Sequence, residues 1–449
     1  MQRLFGTDGV RGKAGVYPLD HETVARLGAA LVRAMRGEPA ASDRPLRFII
    51  GRDTRESGDW IERELGRGVH SEGAAITTAG IIPTPATAYI TRALGFDAGL
   101  VISASHNPFE DNGIKVFSGR GEKYTETLER HVESIVSDMS WQVPAGWLPA
   151  VDRTDVIDAY IAHTRLALPD PERLGRLKIA VDTANGATTP VAPRLFRELG
   201  FDIAVIGDEP DGRNINLGCG STHPERLAAL VRDGGHRMGV AFDGDGDRAI
   251  FIDHAGRVVD GDAVMLMCAR HMKSRGRLTG DAIVATVMSN IGLEIALRAS
   301  GIDLVRCPVG DKYVMEEMIR RGISMGGEQS GHIIFSDHLF TGDGIATALN
   351  VLRTMADTGR ELADLASELV LYPQVLVNVR VRERTALASV PEIADAMDRI
   401  ERRLEGQGRL LVRYSGTEPL VRVMIEGKDQ QEIQGWAREI ADSVKQHLG

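Results

Sequence analysis

The chain has 449 residues, with 53 Lys+Arg against 63 Asp+Glu for a formal net charge of −10, and with 43% apolar and 26% charged residues. That apolar content excludes a disordered chain, and the 50 glycines follow no three-residue period, which excludes collagen. The acidic balance argues against a general nucleic-acid binder, and the length allows about three domains at roughly 150 residues each, or four smaller ones.

In chain order, MQRLFGTDGVRGKAG puts Asp8 where a signal peptide needs its apolar core. No apolar run reaches the ~18 residues of a membrane helix, so the expected location is the cytoplasm, with no membrane or nucleic-acid partner. TVARLGAALVRAM (23–35) has apolar residues at helical spacing. LRFIIG (46–51), AGLVIS (98–103), LKIAVD (177–182), MGVAF (238–242), DAIVATV (281–287) and RLLVRY (409–414) read as buried strands. Strands alternating with helices predict α/β layers with parallel or mixed sheets. Turn-rich segments near 141–149, 254–257 and 371–374 mark boundaries, and the residues after the last form a small α+β unit. Cys219, Cys268 and Cys307 are widely spaced and read as three reduced, apolar thiols.

Four apolar runs each lead into a polar, Gly-rich loop: AGLVI into SASHNPFEDNG (103–113), MGVAF into DGDGDR (243–248), RGISM (321–325) into GGEQSGH (326–332), and RLLV into RYSGTEP (413–419). Open α/β sheets bind ligands at the carboxyl ends of their strands, so these loops either converge on one cleft or are four unrelated turns.

In DGDGDR, Asp243, Asp245 and Asp247 alternate with glycines that let the backbone curl and aim three carboxylates at one centre. Oxygen-only ligands suit Mg²⁺ or Ca²⁺. An EF-hand fails, because its sixth position would be Arg248 and its twelfth His254. A solvated acidic turn is the plain alternative. Ser105 follows a buried strand, where a hydroxyl would be presented at a sheet edge, or it belongs to an ordinary Asx/ST turn. Lys115 is either a surface lysine or a cation that eases ionisation of a hydroxyl, or a general base if desolvated. Arg413, Ser415, Gly416, Thr417 and Arg422 combine guanidinium groups, hydroxyls and exposed backbone N–H in the manner of a phosphate cradle. Arg11 in FGTDGVRG is a donor in a second loop of that kind. Glu328 and Ser330 are spaced to hydrogen-bond adjacent sugar hydroxyls, and His332 is a candidate general acid or base.

Taken together, FGTDGVRG, GRDTRESG (51–58), SASHNPFEDNGIKVFS, DGDGDR, GGEQSGH and RYSGTEPLVRVMIEG resemble, in order, the signature loops of the α-D-phosphohexomutases. The resemblance implies four domains around a central cleft: three related α/β domains with mixed sheets (1–150, 151–255, 256–370) and a smaller C-terminal α+β domain (371–449). It implies that Ser105 is a phosphoserine and that Asp243, Asp245, Asp247 and the Ser105 phosphate hold one Mg²⁺. Arg11, Arg248 and Lys115 would flank the transferring group, with Lys115 and His332 moving protons. Glu328 and Ser330 would hold the sugar, and Arg413, Ser415, Gly416, Thr417 and Arg422 the phosphate that is not transferring. GEQSGH and the FGTDGVRG start are similar to the branch that interconverts glucosamine 6-phosphate and glucosamine 1-phosphate through glucosamine 1,6-bisphosphate, in cell-wall precursor synthesis. The branch acting on glucose or mannose phosphates typically has Met where this chain has Gln329. In CPVGDKYV (307–314), Lys312 and Pro308 replace an Arg and a Lys common in the family. The partner is then a small phosphosugar, and the oligomeric state is left open, a homodimer included. The competing readings are another sugar specificity, a Mg²⁺-dependent phosphohydrolase with an Asp nucleophile, and a non-catalytic sugar-phosphate binder.

Overall fold

AGLVI, MGVAF and AIVAT form the strands Ala98–Ile102, Met238–Phe242 and Ala282–Thr286, each buried at every position. Continuous apolar runs of this kind suit sheets covered on both faces. A computed structural model describes residues 4–6, 8–37, 44–146, 150–415 and 419–449. By contact the chain separates into two compact units, 1–288 with 301–368, and 289–300 with 369–449.

The first unit holds three mixed sheets. A seven-stranded sheet runs Phe5–Gly6, Gly9–Lys13, Asp111–Ser118, Ala98–Ile102, Arg47–Arg52, Ala75–Ile81, Val151–Asp152. A five-stranded sheet runs Val258–Val259, Ala249–Asp253, Met238–Phe242, Lys178–Asp182, Asp202–Ile206. A four-stranded sheet runs Asp303–Cys307, Ala282–Thr286, Met325–Gly327, Ile333–Phe335. Each repeats one device: a strand in parallel register with its inner neighbour turns back into an antiparallel partner. Ala98–Ile102 pairs with Asp111–Ser118, Met238–Phe242 with Ala249–Asp253, and Met325–Gly327 with Ile333–Phe335. The loops bearing Ser105, the three aspartates and Glu328–His332 are the connections of these three hairpins.

Two local readings shift. RGISM is not a strand: helix Asp311–Arg321 runs into it and ends at Gly322 in the left-handed conformation, φ 67°. The strand is Met325–Gly327, so the glycines assigned to the loop lie in the sheet. Residues 151–152, placed at the start of the second domain, instead add an edge strand to the first sheet through Ala75–Ile81. All three cysteines are buried and unbridged, and burial pushes the thiols up, Cys219 to about 11 and Cys268 and Cys307 to about 12. No helix among the described residues is long and apolar enough to cross a membrane.

The second unit is an antiparallel sheet in the order Gln374–Arg380, Leu420–Gly427, Gly408–Tyr414, backed by helices Pro391–Leu404 and Gln430–Leu448. Residues 289–300 join it through a buried carboxylate. Glu426 accepts from Ile291 N at 3.2 Å and from Asn290 Nδ2 at 3.4 Å, and pairs with Arg409 at 2.9 Å. It therefore satisfies the opening amide of helix Ile291–Ala299 as well as an arginine. Replacing Glu426 with Ala removes a buried carboxylate that serves a half-buried guanidinium and a helix terminus, and should destabilise this unit by about 3 kcal/mol in urea unfolding.

Candidate active site

Ser105 lies three residues beyond its strand, with φ 54°, a left-handed conformation costly for a residue with a Cβ. Every polar backbone atom of the residue is clamped. Its N–H donates to Ser103 Oγ at 2.9 Å, and its carbonyl accepts from Arg55 Nη2 at 3.1 Å and Asn216 Nδ2 at 2.9 Å. Arg55 and Asn216 also hold the Asn107 carbonyl, at 2.6 and 3.1 Å. Arg55 is itself fully buried against Asp53, which accepts from Ser103 Oγ. The strain is thus supported by three loops, and it aims the hydroxyl at the aspartate loop, where Ser105 Oγ donates to Asp243 Oδ2 at 2.5 Å. Gly244 makes this approach possible, since a Cβ there would lie 2.5 Å from the Ser105 carbonyl oxygen.

Asp243, Asp245 and Asp247 are buried, and each offers a carboxylate oxygen within 4.8 Å of the others. Burial, with Asp247 and Asp245 beside it, pushes Asp243 well above the usual carboxylate range. For Asp247 the same burial is outweighed by Lys115, His332 and Arg248, which hold it well below that range. Asp245 Oδ1 and Asp247 Oδ1 are buried without a hydrogen-bond donor. Crowded oxygens with unused lone pairs are the donor set of a hard divalent cation. Asp247, Asp311 and His332 form a second such group. It is the poorer one, because Lys123 holds Asp311 and the Gly342 N–H donates to His332 Nε2 at 3.0 Å.

Lys115 enters the triad from strand Asp111–Ser118, with Nζ 2.8 Å from Asp245, 3.0 Å from Asp247 and 3.1 Å from Asp8. Burial alone would lower its pKa, and the three carboxylates raise it well above the ordinary value. The sequence allowed a desolvated general base here; in this arrangement Lys115 is a firmly held ammonium. The pairs continue as a chain of alternating charge, Asp247, Lys115, Asp8, Lys123 and Asp311, whose two ends meet at His332, 3.6 Å from Asp247 and 3.8 Å from Asp311. These pairs draw residues from all three sheets of this unit.

Beside these pairs lies a cavity of about 520 Å³ bordered by Arg11, Arg248, Glu328, His332, Asp311, Phe5 and Asp8, among others. Arg11 pairs with Asp8. Arg248 donates its backbone N–H to Asp243 Oδ1 at 3.1 Å and bridges to His332. Glu328 faces the cavity, with Oε1 accepting from Gly310 N at 3.1 Å. His332 also faces it, but the Gly342 amide fixes Nε2 as an acceptor and leaves the ring proton on Nδ1, toward Asp247. Gly342 packs so closely that a Cβ would lie 2.5 Å from the imidazole. Ser330 is exposed and does not border the cavity. Gln329 turns away to Asp260 Oδ2 at 3.1 Å, steadying the cap of helix Gly261–Ser274.

In the second unit, Arg413 and Arg422 sit directly opposite across a hairpin. Like charges in that register oppose each other, and an anion between them would relieve the repulsion. Ser415 is buried beside them, accepting from Arg422 Nη2 at 3.4 Å and, through its carbonyl, from Arg384 at 2.7 Å. Gly416 and Thr417 lie outside the described residues.

Sequence reasoning assigned no role to Asp8, Asp53, Arg55, Thr84, Lys123, Asn216 or Asp311. Asp8, Asp53 and Arg55 lie within the motifs FGTDGVRG and GRDTRESG, which was the available signal. Thr84, which donates to Asp245 Oδ2 at 2.5 Å, Lys123 and Asn216 carry no motif and gain meaning only from their neighbours.

Sequence models of the phosphoglucomutase/phosphomannomutase family match all along the chain: alpha/beta/alpha domain I at residues 2–142, domain II at 158–256, domain III at 260–372 and the C-terminal domain at 376–443. The chain is 46% identical over 455 residues to the phosphoglucosamine mutase of Geotalea daltonii, covering 100% of this chain and 99% of that one. It is 47% identical over 450 residues to that of Desulforamulus reducens, covering 99% of each. Among solved structures, a phosphoglucomutase/phosphomannomutase family protein of Burkholderia thailandensis superimposes with a TM-score of 0.82 at 24% identity, over 100% of this chain and 99% of that one. The Aspergillus fumigatus N-acetylphosphoglucosamine mutase, solved with GlcNAc-6P and magnesium, superimposes with a TM-score of 0.67 at 19% identity, over 99% of this chain and 96% of that one. With all four domains matched in order and the relatives aligned end to end, this chain belongs to the phosphoglucomutase/phosphomannomutase family.

Proposed function

We propose that this protein is a phosphoglucosamine mutase, interconverting glucosamine 6-phosphate and glucosamine 1-phosphate through a phosphoserine and glucosamine 1,6-bisphosphate. The observation that supports it most is the strained, clamped Ser105 hydroxyl aimed at three buried carboxylates, beside a cavity edged by Arg11 and Arg248. The end-to-end likeness to phosphoglucosamine mutases selects the sugar.

In this reading Ser105 Oγ carries a phosphoryl group. A hydroxyl of the bound sugar phosphate attacks phosphorus, the Ser105 Oγ–P bond breaks, and the bisphosphate forms. The intermediate turns over, and its other phosphoryl group returns to Ser105 Oγ. We assign Lys115, held as an ammonium, to deliver the proton to Ser105 Oγ as it leaves. His332 is the candidate for the proton of the attacking hydroxyl, which it would take at Nε2 in place of the contact with the Gly342 N–H. Arg11 and Arg248 balance charge on the transferring oxygens, because phosphoryl transfer proceeds through a loose transition state that mainly needs positioning and electrostatics. Asp243, Asp245 and Asp247 would hold Mg²⁺ together with the Ser105 phosphate, and the cation would neutralise charge on that group. Glu328 orients sugar hydroxyls. Arg413, Ser415, Gly416, Thr417 and Arg422 anchor the second phosphate.

A phosphohydrolase with an aspartate nucleophile would leave the support of Ser105 by Arg55, Asn216 and Ser103 without purpose. Intact-mass analysis of protein from cells should show one phosphoryl group, lost together with mutase activity in Ser105→Ala. Full activity in that variant refutes the mechanism. Asp245→Ala should lower kcat by about 10²–10³-fold with the fold retained by circular dichroism. Arg422→Ala should raise KM for glucosamine 1-phosphate by about tenfold with kcat little changed, since the anchor acts equally in ground and transition states.

A further inference from the structure

We infer that two buried ion pairs of opposite polarity, Lys123–Asp311 and Glu129–Lys312, are positioning contacts that set the sugar-side wall of the cavity. Asp311 and Lys312 are consecutive residues opening helix Asp311–Arg321, in the part of the chain built on the four-stranded sheet. Lys123 and Glu129 lie together on the part built on the seven-stranded sheet, just before and within helix Glu126–Ser137. Lys312 Nζ donates to Glu129 Oε2 at 2.7 Å, with side-chain exposures of 9% and 7%. Lys123 Nζ reaches Asp311 Oδ2 and Asp8 Oδ1 together.

The alternation of sign is what makes this a register lock. A slip of one residue would bring Asp311 against Glu129 or Lys312 against Lys123, a buried like-charge contact with no water to screen it. A buried pair is weak evidence for added stability, whereas fixing a register is its best-attested use. The locked segment leads directly to the cavity. Gly310, the residue before Asp311, donates its N–H to Glu328 Oε1 at 3.1 Å, and Val309, Gly310, Asp311 and Glu328 all border the cavity. The path from Glu129 to Glu328 is therefore continuous: ion pair, helix start, backbone amide, carboxylate. It explains Lys312 without a substrate contact, since its charge is used on Glu129.

The inference rests on the reading of the cavity as a phosphosugar site, so affinity and turnover are measured separately on the full chain. Calorimetric affinity for glucosamine 6-phosphate should weaken about tenfold in Lys312→Met and in Glu129→Gln. The double variant should be no weaker than either single one, and Lys312→Arg should match the wild type. Wild-type affinity in both single variants, additive losses in the double, or no rescue by arginine would overturn the lock. Should the single variants fail to fold, Glu129→Leu/Lys312→Met buries an apolar pair instead. It should fold and still bind weakly, and wild-type affinity there equally overturns the lock. A wild-type protein that binds the sugar phosphate without converting it would sink the mutase assignment while affinity still judges the lock. No binding at all would sink both.

Discussion

Asp243, Asp245 and Asp247 gather three carboxylates within 4.8 Å of one another in a buried loop, and the first unit is arranged around the cost of that crowding. Isolated charge in a low-dielectric interior is penalised heavily, so each carboxylate has to meet a cation or lose its charge. Lys115 inserts between two of them, Arg248 and His332 lean on Asp247, and Asp243 accepts the hydrogen bond of the Ser105 hydroxyl. The compensation spreads outward, because Lys115 is shared with Asp8, Asp8 with Lys123, and Lys123 with Asp311, until it reaches His332. This chain of alternating sign draws the parts built on three different sheets to one point, and the unused oxygens of Asp245 and Asp247 leave capacity for a metal.

The nucleophile depends on the same arrangement from the other side. A serine at φ 54° persists only where its surroundings over-determine it. Here Arg55, Asn216 and Ser103 occupy its carbonyl and amide. The hydroxyl is therefore offered in one direction only, at the edge of the metal-type donor set. That pre-organisation suits a reaction whose barrier is lowered chiefly by placement and charge.

Several residues carry meanings that their types alone do not convey. Gln329, expected from the resemblance to mark one branch of the family, spends its amide on Asp260 at the start of a helix, away from the cavity. Lys115 has the burial expected of a low-pKa base, but the sum of three neighbouring carboxylates outweighs desolvation. Ser330, spaced like Glu328 to grip a sugar, ends on the exposed side of its turn. For Gln329 and Lys115 the side chain's partner lies far away in sequence, and the partner decides its role.

The amino-acid sequence by itself determined the strands, since AGLVI, MGVAF and AIVAT are apolar without alternation and suit only a doubly covered sheet. It also identified the loop chemistry, because three aspartates separated by glycines, or arginines around Ser-Gly-Thr, restrict the ligands whatever the fold. RGISM misled because a weakly apolar stretch at a helix end is locally indistinguishable from a strand; Gly322, left-handed, ends the helix there. What only the tertiary structure decided is which loops are hairpin turns, which charges meet, and which state those charges hold. Asn216, Thr84 and Lys123 sit in no motif and matter through partners more than 100 residues away in sequence. Burial and Coulomb energy are set by distance in space, and periodicity along the chain records only which residues share a face.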